Sequence, residues 1–78
     1  MNDLIRGLGH DGEYELQYAD GVPVMEHDVV SSERGVDYRV VHGRAPHKPG
    51  STGRVFVSKG PGQAEYVPTV LNMRWVKL

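Results

Sequence analysis

The clearest alternation of apolar and polar positions lies at residues 13–19, whose sequence is EYELQYA. Aromatic or aliphatic residues at 14, 16 and 18 alternate with polar residues at 13, 15 and 17, the two-residue period of a strand with one buried face. Asp20-Gly21 follows, a pair typical of a tight hairpin turn. The pattern therefore predicts a half-buried antiparallel strand and a returning strand at residues 22–25, where Pro23 favours the sheet edge.

Later stretches rich in Val and aromatic residues predict four more strands, at residues 38–42, 54–58, 64–67 and 71–78. Gly43 is expected to end the first of them, and Pro68 follows the third because proline cannot continue a sheet ladder. In the last of them Met73 and Trp75 share a face, and Trp75 is the largest apolar side chain available to a core.

The remaining stretches carry weaker patterns. Residues 1–9 predict at most a short N-terminal helical turn, with a frayed tail that orders on a partner as the alternative. Residues 26–37 predict a loop or a second short hairpin with a polar turn at 31–35. The whole chain is therefore predicted to be mostly β, a small antiparallel barrel or rolled sheet of five to six short strands, SH3-like or OB-like in size.

Composition narrows the class of protein. The chain has 78 residues, which we expect to form a single domain over residues 1–78 with a small core. It has no cysteine, which excludes disulfides and thiolate zinc sites. No stretch has the roughly 20 apolar residues of a membrane span, and no signal-peptide pattern follows Met1, so we expect no membrane partner and a cytoplasmic location.

Charge is unevenly distributed along the chain although the net charge is only −1. Residues 1–37 carry nine acidic and two basic residues, whereas residues 38–64 carry five basic residues and no acidic one. This asymmetry favours either two binding faces of opposite sign or charges that neutralise each other when the chain folds.

The basic residues surround the loop at 43–54, which is longer than most hairpin connections and contains two prolines. Basic and aromatic groups together are typical of small β folds that hold single-stranded nucleic acid. The Gly-Ser-Thr-Gly-Arg run at 50–54 suits phosphate contact or a tight structural turn. The alternative for the whole hairpin is a solvated surface whose long cations cover apolar neighbours. The predicted partner-binding residues are Arg39, His42, Arg44, His47, Lys48, Ser51, Thr52, Arg54 and Lys59.

Two further groups of residues are candidate sites. An acidic set could form a second partner-binding face, or could simply keep a strand edge from pairing with other chains. The four histidines have no metal-ligand spacing, and no nucleophile has an activating neighbour, so we expect no metal, no cofactor and no enzymatic activity. The acidic set consists of Glu13, Glu15, Asp20, Glu26 and Asp28, and the histidines are at positions 10, 27, 42 and 47.

About half of the chain carries a resemblance to a known group of proteins. The run HGRAPHKPGSTGRVFV at 42–57, followed by EYVP at 65–68 and a closing strand with Trp75, resembles small uncharacterised proteins encoded by tailed bacteriophages. The resemblance implies an effector in the cytoplasm of the host bacterial cell that binds and inhibits or retunes a host protein such as RNA polymerase, a nuclease or a defence complex. The alternatives are a nucleic-acid or nucleotide-binding module that uses the basic 39–59 hairpin, and a virion or assembly component.

Overall fold

In the computed structural model, which describes residues 3–31 and 34–78, seven short strands form two antiparallel sheets, and one 3-10 helix precedes the last strand. The three-stranded sheet has the order β1-β2-β7 and the four-stranded sheet the order β3-β4-β5-β6. The mostly β prediction is confirmed, although the described residues form seven strands instead of five to six. The elements are β1 Arg6–Gly9, β2 Gly12–Tyr18, β3 Val29–Ser31, β4 Asp37–Arg44, β5 Arg54–Lys59, β6 Gly62–Tyr66, the 3-10 helix Pro68–Leu71 and β7 Met73–Lys77.

The N-terminal segment is a strand and not the predicted helical turn. β1 pairs antiparallel with β2 from Arg6↔Glu15 to Gly9↔Gly12, so His10 and Asp11 form a turn that joins the two strands. Gly9 suits this position because a Cβ there would lie only 2.5 Å from the carbonyl oxygen of Pro46. The two glycines of β1 also lower its helix propensity, which leaves sheet pairing as the better use of its backbone groups. Residues 1 and 2, where the helical turn was predicted to begin, lie outside the described residues.

β2 is the central strand of its sheet, because β1 and β7 pair with its two edges. Tyr14 and Leu16 are buried, as the alternation predicts, but Glu15 on the other face is also only 6% exposed. Its carboxylate accepts hydrogen bonds from Arg6 Nε and Nη2 at 3.3 and 3.2 Å and from Gln17 Nε2 at 3.2 Å. These donors satisfy a charge that burial would otherwise destabilise.

A single hydrophobic cluster draws on both sheets. Leu16, Val40, Val55 and Val57 are fully buried, and burying each side chain of this kind stabilises the fold by roughly 1.5–3 kcal/mol. Trp75 and Tyr66 are partly buried and pack against the cluster from its margins. The core cluster consists of Ile5, Leu16, Val24, Tyr38, Val40, Val55, Val57, Leu71 and Met73.

The returning strand predicted at residues 22–25 is reduced to isolated bridges. Gln17 is bridged to Pro23 and Leu4 to Met25, because proline has no N–H with which to continue a ladder. Asp20-Gly21 does form the predicted turn, where Gly21 has φ of 93° and Val22 N donates to Asp20 Oδ1 at 3.0 Å. The second hairpin expected within residues 26–37 is β3 paired with β4, although residues 32 and 33 of its turn lie outside the described residues.

Burial and a hydrogen bond to Asp28 raise the pKa of Tyr18 to about 12. The Tyr18 hydroxyl donates to Asp28 Oδ2 at 2.8 Å, and this carboxylate also accepts from Met25 N at 3.0 Å. The folded state therefore favours the protonated phenol, so its stabilising effect is complete below the unfolded pKa of about 10 and is lost as the pH rises through 12.

We therefore expect the Tm of the protein to fall between about pH 10 and pH 12, and to fall less steeply in Tyr18→Phe. Tyr14 and Tyr66 also have raised pKa values, owing first to their hydrogen bonds with Asp11 and Tyr38, and they leave a common residual slope in both proteins. Thermal denaturation at intervals over this range measures the difference. Identical slopes in the two proteins would contradict the assigned role of Tyr18.

Candidate functional site

The basic residues of the predicted loop converge on one pocket of about 260 Å³. Arg44 at the end of β4 lies directly opposite Arg54 at the start of β5. The intervening residues 45–53, here called the connector, supply most of the other residues that line the pocket. Like charges placed directly opposite on neighbouring strands destabilise a sheet. The pocket, here called the basic pocket, is lined by Arg44, His47, Lys48, Ser51, Gly53, Arg54 and Glu65.

The connector is shorter than the predicted loop because β4 continues through Gly43 to Arg44. Gly43 does not end the strand, since its missing side chain leaves room for Trp75, whose Cζ2 would lie 2.5 Å from a Cβ at that position. A glycine inside a strand often marks such a close approach. The prediction that Gly43 ends the strand is therefore wrong.

The base of the connector is fixed and its middle is exposed. Ala45 and Pro46 are buried, and the Pro46 carbonyl accepts a hydrogen bond from His10 N at 2.9 Å. Ser51 N donates to the Lys48 carbonyl at 3.1 Å, and Ser51 Oγ accepts from Gly53 N at 3.2 Å. The backbone turn therefore lies at residues 48–51 and overlaps only the start of the run at 50–54, and it holds Lys48 and the Ser51 hydroxyl beside the paired arginines.

No carboxylate lies within salt-bridge distance of these cations within residues 3–31 and 34–78. The salt bridges of that part of the chain use Arg6, Lys77 and two histidines, and none uses a cation of residues 38–64. Glu65 lines the basic pocket but lies outside salt-bridge distance of its arginines and lysine. Arg54 Nη1 instead donates to the Gly53 carbonyl at 2.7 Å. Glu65 offsets part of the charge of Arg44, Lys48 and Arg54, so the pocket lining keeps a net positive charge that favours an anionic ligand.

A stacked aromatic pair lies on the outer face of the same two strands. The His42 and Phe56 rings are 4.4 Å apart at an interplanar angle of 14°, and the two residues are paired in register. The Arg44 guanidinium carbon lies 5.9 Å from the Phe56 ring centroid. The ladder shifts register between Val40 and His42, which allows His42 to face outward beside Arg44.

The structure brings together five of the nine predicted partner-binding residues and separates others. Arg44, His47, Lys48, Ser51 and Arg54 line the basic pocket, and His42 lies on the adjacent sheet face. Arg39 lies with Ser58 and Gly60 around a separate surface depression of about 310 Å³. Lys59 ends β5 and is roughly 16 Å from Arg54 at the usual rise per residue of a strand. Thr52 lines a neighbouring groove instead.

The acidic set does not form one surface. Glu15 is buried against Arg6, and Asp28 is half-buried and bonded to Tyr18. Asp20 accepts from the backbone of its own turn, and Glu26 Oε1 lies 3.1 Å from His27 Nε2. Glu13 remains exposed, with Oε1 3.9 Å from Arg6 Nη1. Several of these carboxylates are therefore engaged in holding the fold.

Sequence reasoning missed a second, more apolar groove of about 340 Å³ on the other side of the connector. It lies between the connector, the 3-10 helix, β7 and the β1–β2 turn, so its residues come from distant parts of the sequence. The only hint in the sequence was the pair Gly43 and Gly53, because a glycine inside or next to a strand often marks a close approach, here that of Trp75. The groove, here called the apolar groove, is lined by His10, Tyr14, Pro46, Gly50, Ser51, Thr52, Pro68, Thr69, Met73, Arg74 and Trp75.

The chain matches no protein-family model, and no curated protein or solved structure is significantly similar to it. The resemblance to phage proteins therefore stays a prediction. In the described part of the chain, no three His, Asp or Glu side chains lie close enough together to hold a metal ion. No helix formed by residues 3–31 or 34–78 has the length and apolar character needed to cross a membrane.

Proposed function

We propose that this protein is a non-enzymatic binding module for single-stranded nucleic acid, and that its contact surface is the basic pocket with the adjoining outer face of β4 and β5. The observation that carries the proposal is the direct pairing of Arg44 with Arg54, without a carboxylate partner among the described residues. Phosphate groups favour such sites because guanidinium groups bind them through charge-assisted, bidentate hydrogen bonds.

The aromatic pair supports a single-stranded ligand over a free phosphate. His42 and Phe56 stack on the sheet face next to Arg44, and stacked rings of this kind offer a platform for bases. Phosphates in the basic pocket and bases along the sheet face would use both features at once. Each base that stacks on a protein ring typically contributes about 1–3 kcal/mol.

The slightly acidic net charge does not oppose the proposal, since the charges are segregated. The acidic half of the chain uses Glu15, Asp28 and Asp20 in internal hydrogen bonds, while no cation of residues 38–64 takes part in a salt bridge among the described residues. Local potential at the site governs the attraction of an anionic ligand more than net charge does.

Titration with an unstructured oligonucleotide of about twelve nucleotides tests the proposal, a length within the range of single-stranded sites on small β folds. We expect binding whose affinity falls steeply between about 50 and 300 mM salt, because each neutralised phosphate releases counterions. An absence of binding at about 50 mM salt would overturn the proposal, as would an affinity that salt leaves unchanged.

The second candidate is the phage-type effector that binds a host protein. The observation that favours it is the position of β3 at the edge of the four-stranded sheet, where Val29 is 61% exposed, because edge strands are the sites at which a strand of a partner can add to a sheet. A pull-down from nuclease-treated bacterial lysate separates the two candidates. One stoichiometric protein that is retained after nuclease treatment supports the effector, and its absence supports the nucleic-acid module.

The finer fold assignment, a small barrel of SH3-like or OB-like type, belongs with these proposals. The backbone hydrogen bond from His10 N to Pro46 O at 2.9 Å supports it, because it joins the β1–β2 turn of one sheet to the segment that follows β4 of the other. The edge strands are β1 and β7 in the three-stranded sheet and β3 and β6 in the four-stranded sheet.

A further inference from the structure

We propose that the apolar groove receives one base of the bound strand while the phosphate next to it lies in the basic pocket. The inference rests on the proposed function and deepens it, because it assigns the base-binding position. The two cavities lie on either side of the connector, and Ser51 lines both of them. A nucleotide has the same division into an anionic part and a flat, largely apolar part.

Trp75 and Tyr14 give the groove its aromatic lining. The Trp75 ring is held on a backbone surface, since a Cβ on Gly43 or Gly53 would lie 2.5 or 2.4 Å from ring carbons. Its Nε1 donates to the Arg54 carbonyl at 3.3 Å, which fixes the ring in its plane. A ring held in this way loses little freedom when a base stacks on it, so stacking is favourable.

The groove also contains hydrogen-bonding groups suited to the edge of a base. Thr52 from the connector and Thr69 from the 3-10 helix are both exposed and lie at its margin. Arg74 of β7 lines it as well. Hydroxyl and guanidinium groups at the rim of an aromatic site are the combination with which proteins hold unstacked bases.

Charge and continuity favour a base over an apolar side chain of a protein partner. The neighbouring basic pocket attracts an anion, and one connector separates it from the groove. A protein segment would need an acidic residue next to an apolar one at this position, whereas every nucleotide of a strand supplies both parts. A protein segment is therefore treated as an alternative outcome of the test.

The test compares an oligothymidine of about twelve nucleotides with an abasic strand of equal phosphate number. Trp75 is the only tryptophan of the chain, so its fluorescence reports on the groove directly. We expect the base-containing strand to quench this fluorescence and to bind at least about tenfold more tightly than the abasic strand, the fold-change of about 1.4 kcal/mol of stacking. The abasic strand should bind without quenching.

Tighter binding of the base-containing strand without quenching of Trp75 fluorescence would overturn the base position and leave the proposed function standing, because phosphate contacts and stacking on His42 and Phe56 would remain. Failure of both strands to bind at about 50 mM salt would overturn the proposed function and this inference together.

A matched pair of variants gives an independent measurement. Thr69→Phe partly fills the apolar groove, whereas Val70→Phe places the same ring on the neighbouring residue, which is 48% exposed and does not line the groove. We expect Thr69→Phe to lower the affinity for oligothymidine about tenfold, to leave the abasic strand unaffected, and Val70→Phe to change neither. Loss of a captured host protein in Thr69→Phe, with oligothymidine affinity unchanged, would assign the groove to a protein segment and contradict the inference.

Discussion

Replacing Arg44, Lys48 and Arg54 together by Ala is expected to weaken binding of a single-stranded oligonucleotide about 100-fold at 0.1 M salt. All three side chains line the basic pocket, and none forms a salt bridge within residues 3–31 and 34–78. For single strands the logarithm of affinity changes by about 0.7 for each neutralised phosphate per tenfold change in salt. Loss of three phosphate contacts therefore lowers the slope of log affinity against log salt by about 2. Since 0.1 M is one tenfold step below 1 M, where these contacts contribute little, the affinity at 0.1 M falls about 100-fold.

The fold should survive this triple change, because the three side chains contribute charge to the surface and no ion pair to the core. Equal Tm values for the variant and the unmodified protein, within a few degrees, are the control. Loss of affinity without a change in the salt slope would contradict the assignment, since only phosphate contacts carry that slope.

A single-residue comparison controls for general loss of positive charge. Lys48 and Lys59 are both exposed, and neither takes part in a salt bridge among the described residues. Lys48 belongs to the basic pocket, whereas Lys59 is at the far end of β5. We expect Lys48→Ala to reduce affinity about fivefold at 0.1 M salt and Lys59→Ala to have a clearly smaller effect. Equal effects would show that the site extends over the whole basic hairpin.

Gly53→Ala is expected to destabilise the protein by about 3 kcal/mol and to lower its Tm by about 15 °C. Gly53 has φ of 75°, which costs an L side chain about 1 kcal/mol. A Cβ at this position would also lie 2.4 Å from Trp75 Cδ1 and 2.6 Å from the Arg44 carbonyl oxygen. The Trp75 ring and the β4 backbone would both have to move, and overpacking of this kind costs about 1–3 kcal/mol.

Gly50→Ala is the matched control, because Gly50 has φ of 84° but nothing within 4 Å of its missing Cβ. This variant should show only the cost of a positive φ, which lowers the free energy of unfolding by about 1 kcal/mol and the Tm by about 5 °C. Thermal and urea denaturation of the two variants measure the difference. Equal destabilisation would mean that the Trp75 ring is not held by Gly53, and the apolar groove would then lack its rigid wall.

The local patterns of the sequence predicted the elements that depend on local chemistry. The alternation at residues 13–19 correctly placed Tyr14 and Leu16 on the buried face of β2. The Asp20-Gly21 turn and the end of a strand before Pro68 also follow from backbone properties of the residues themselves. The two strands that pair as β4 and β5 were also predicted, but the pairing of Arg44 with Arg54 was not, because the first strand was expected to end at Gly43.

The features that the sequence did not predict depend on contacts between distant segments. Glu15 is buried because Arg6 of β1 covers it, and β1 itself lacked a recognisable strand pattern owing to its two glycines. Gly43 stays within β4 because Trp75, more than thirty positions later in the sequence, lies on it. The apolar groove likewise joins residues from four segments, so no local pattern could indicate it.

The measurement that tests the central claim most directly is the change in the NMR signals of the backbone amides and of the Trp75 indole N–H when the protein is titrated with an unstructured oligonucleotide. The account predicts that the shifted signals lie at residues 42–56, at Tyr14 and at the Trp75 indole, while those of residues 20–31 stay in place. Shifts confined to residues 20–31, or no shifts at about 50 mM salt, would contradict it.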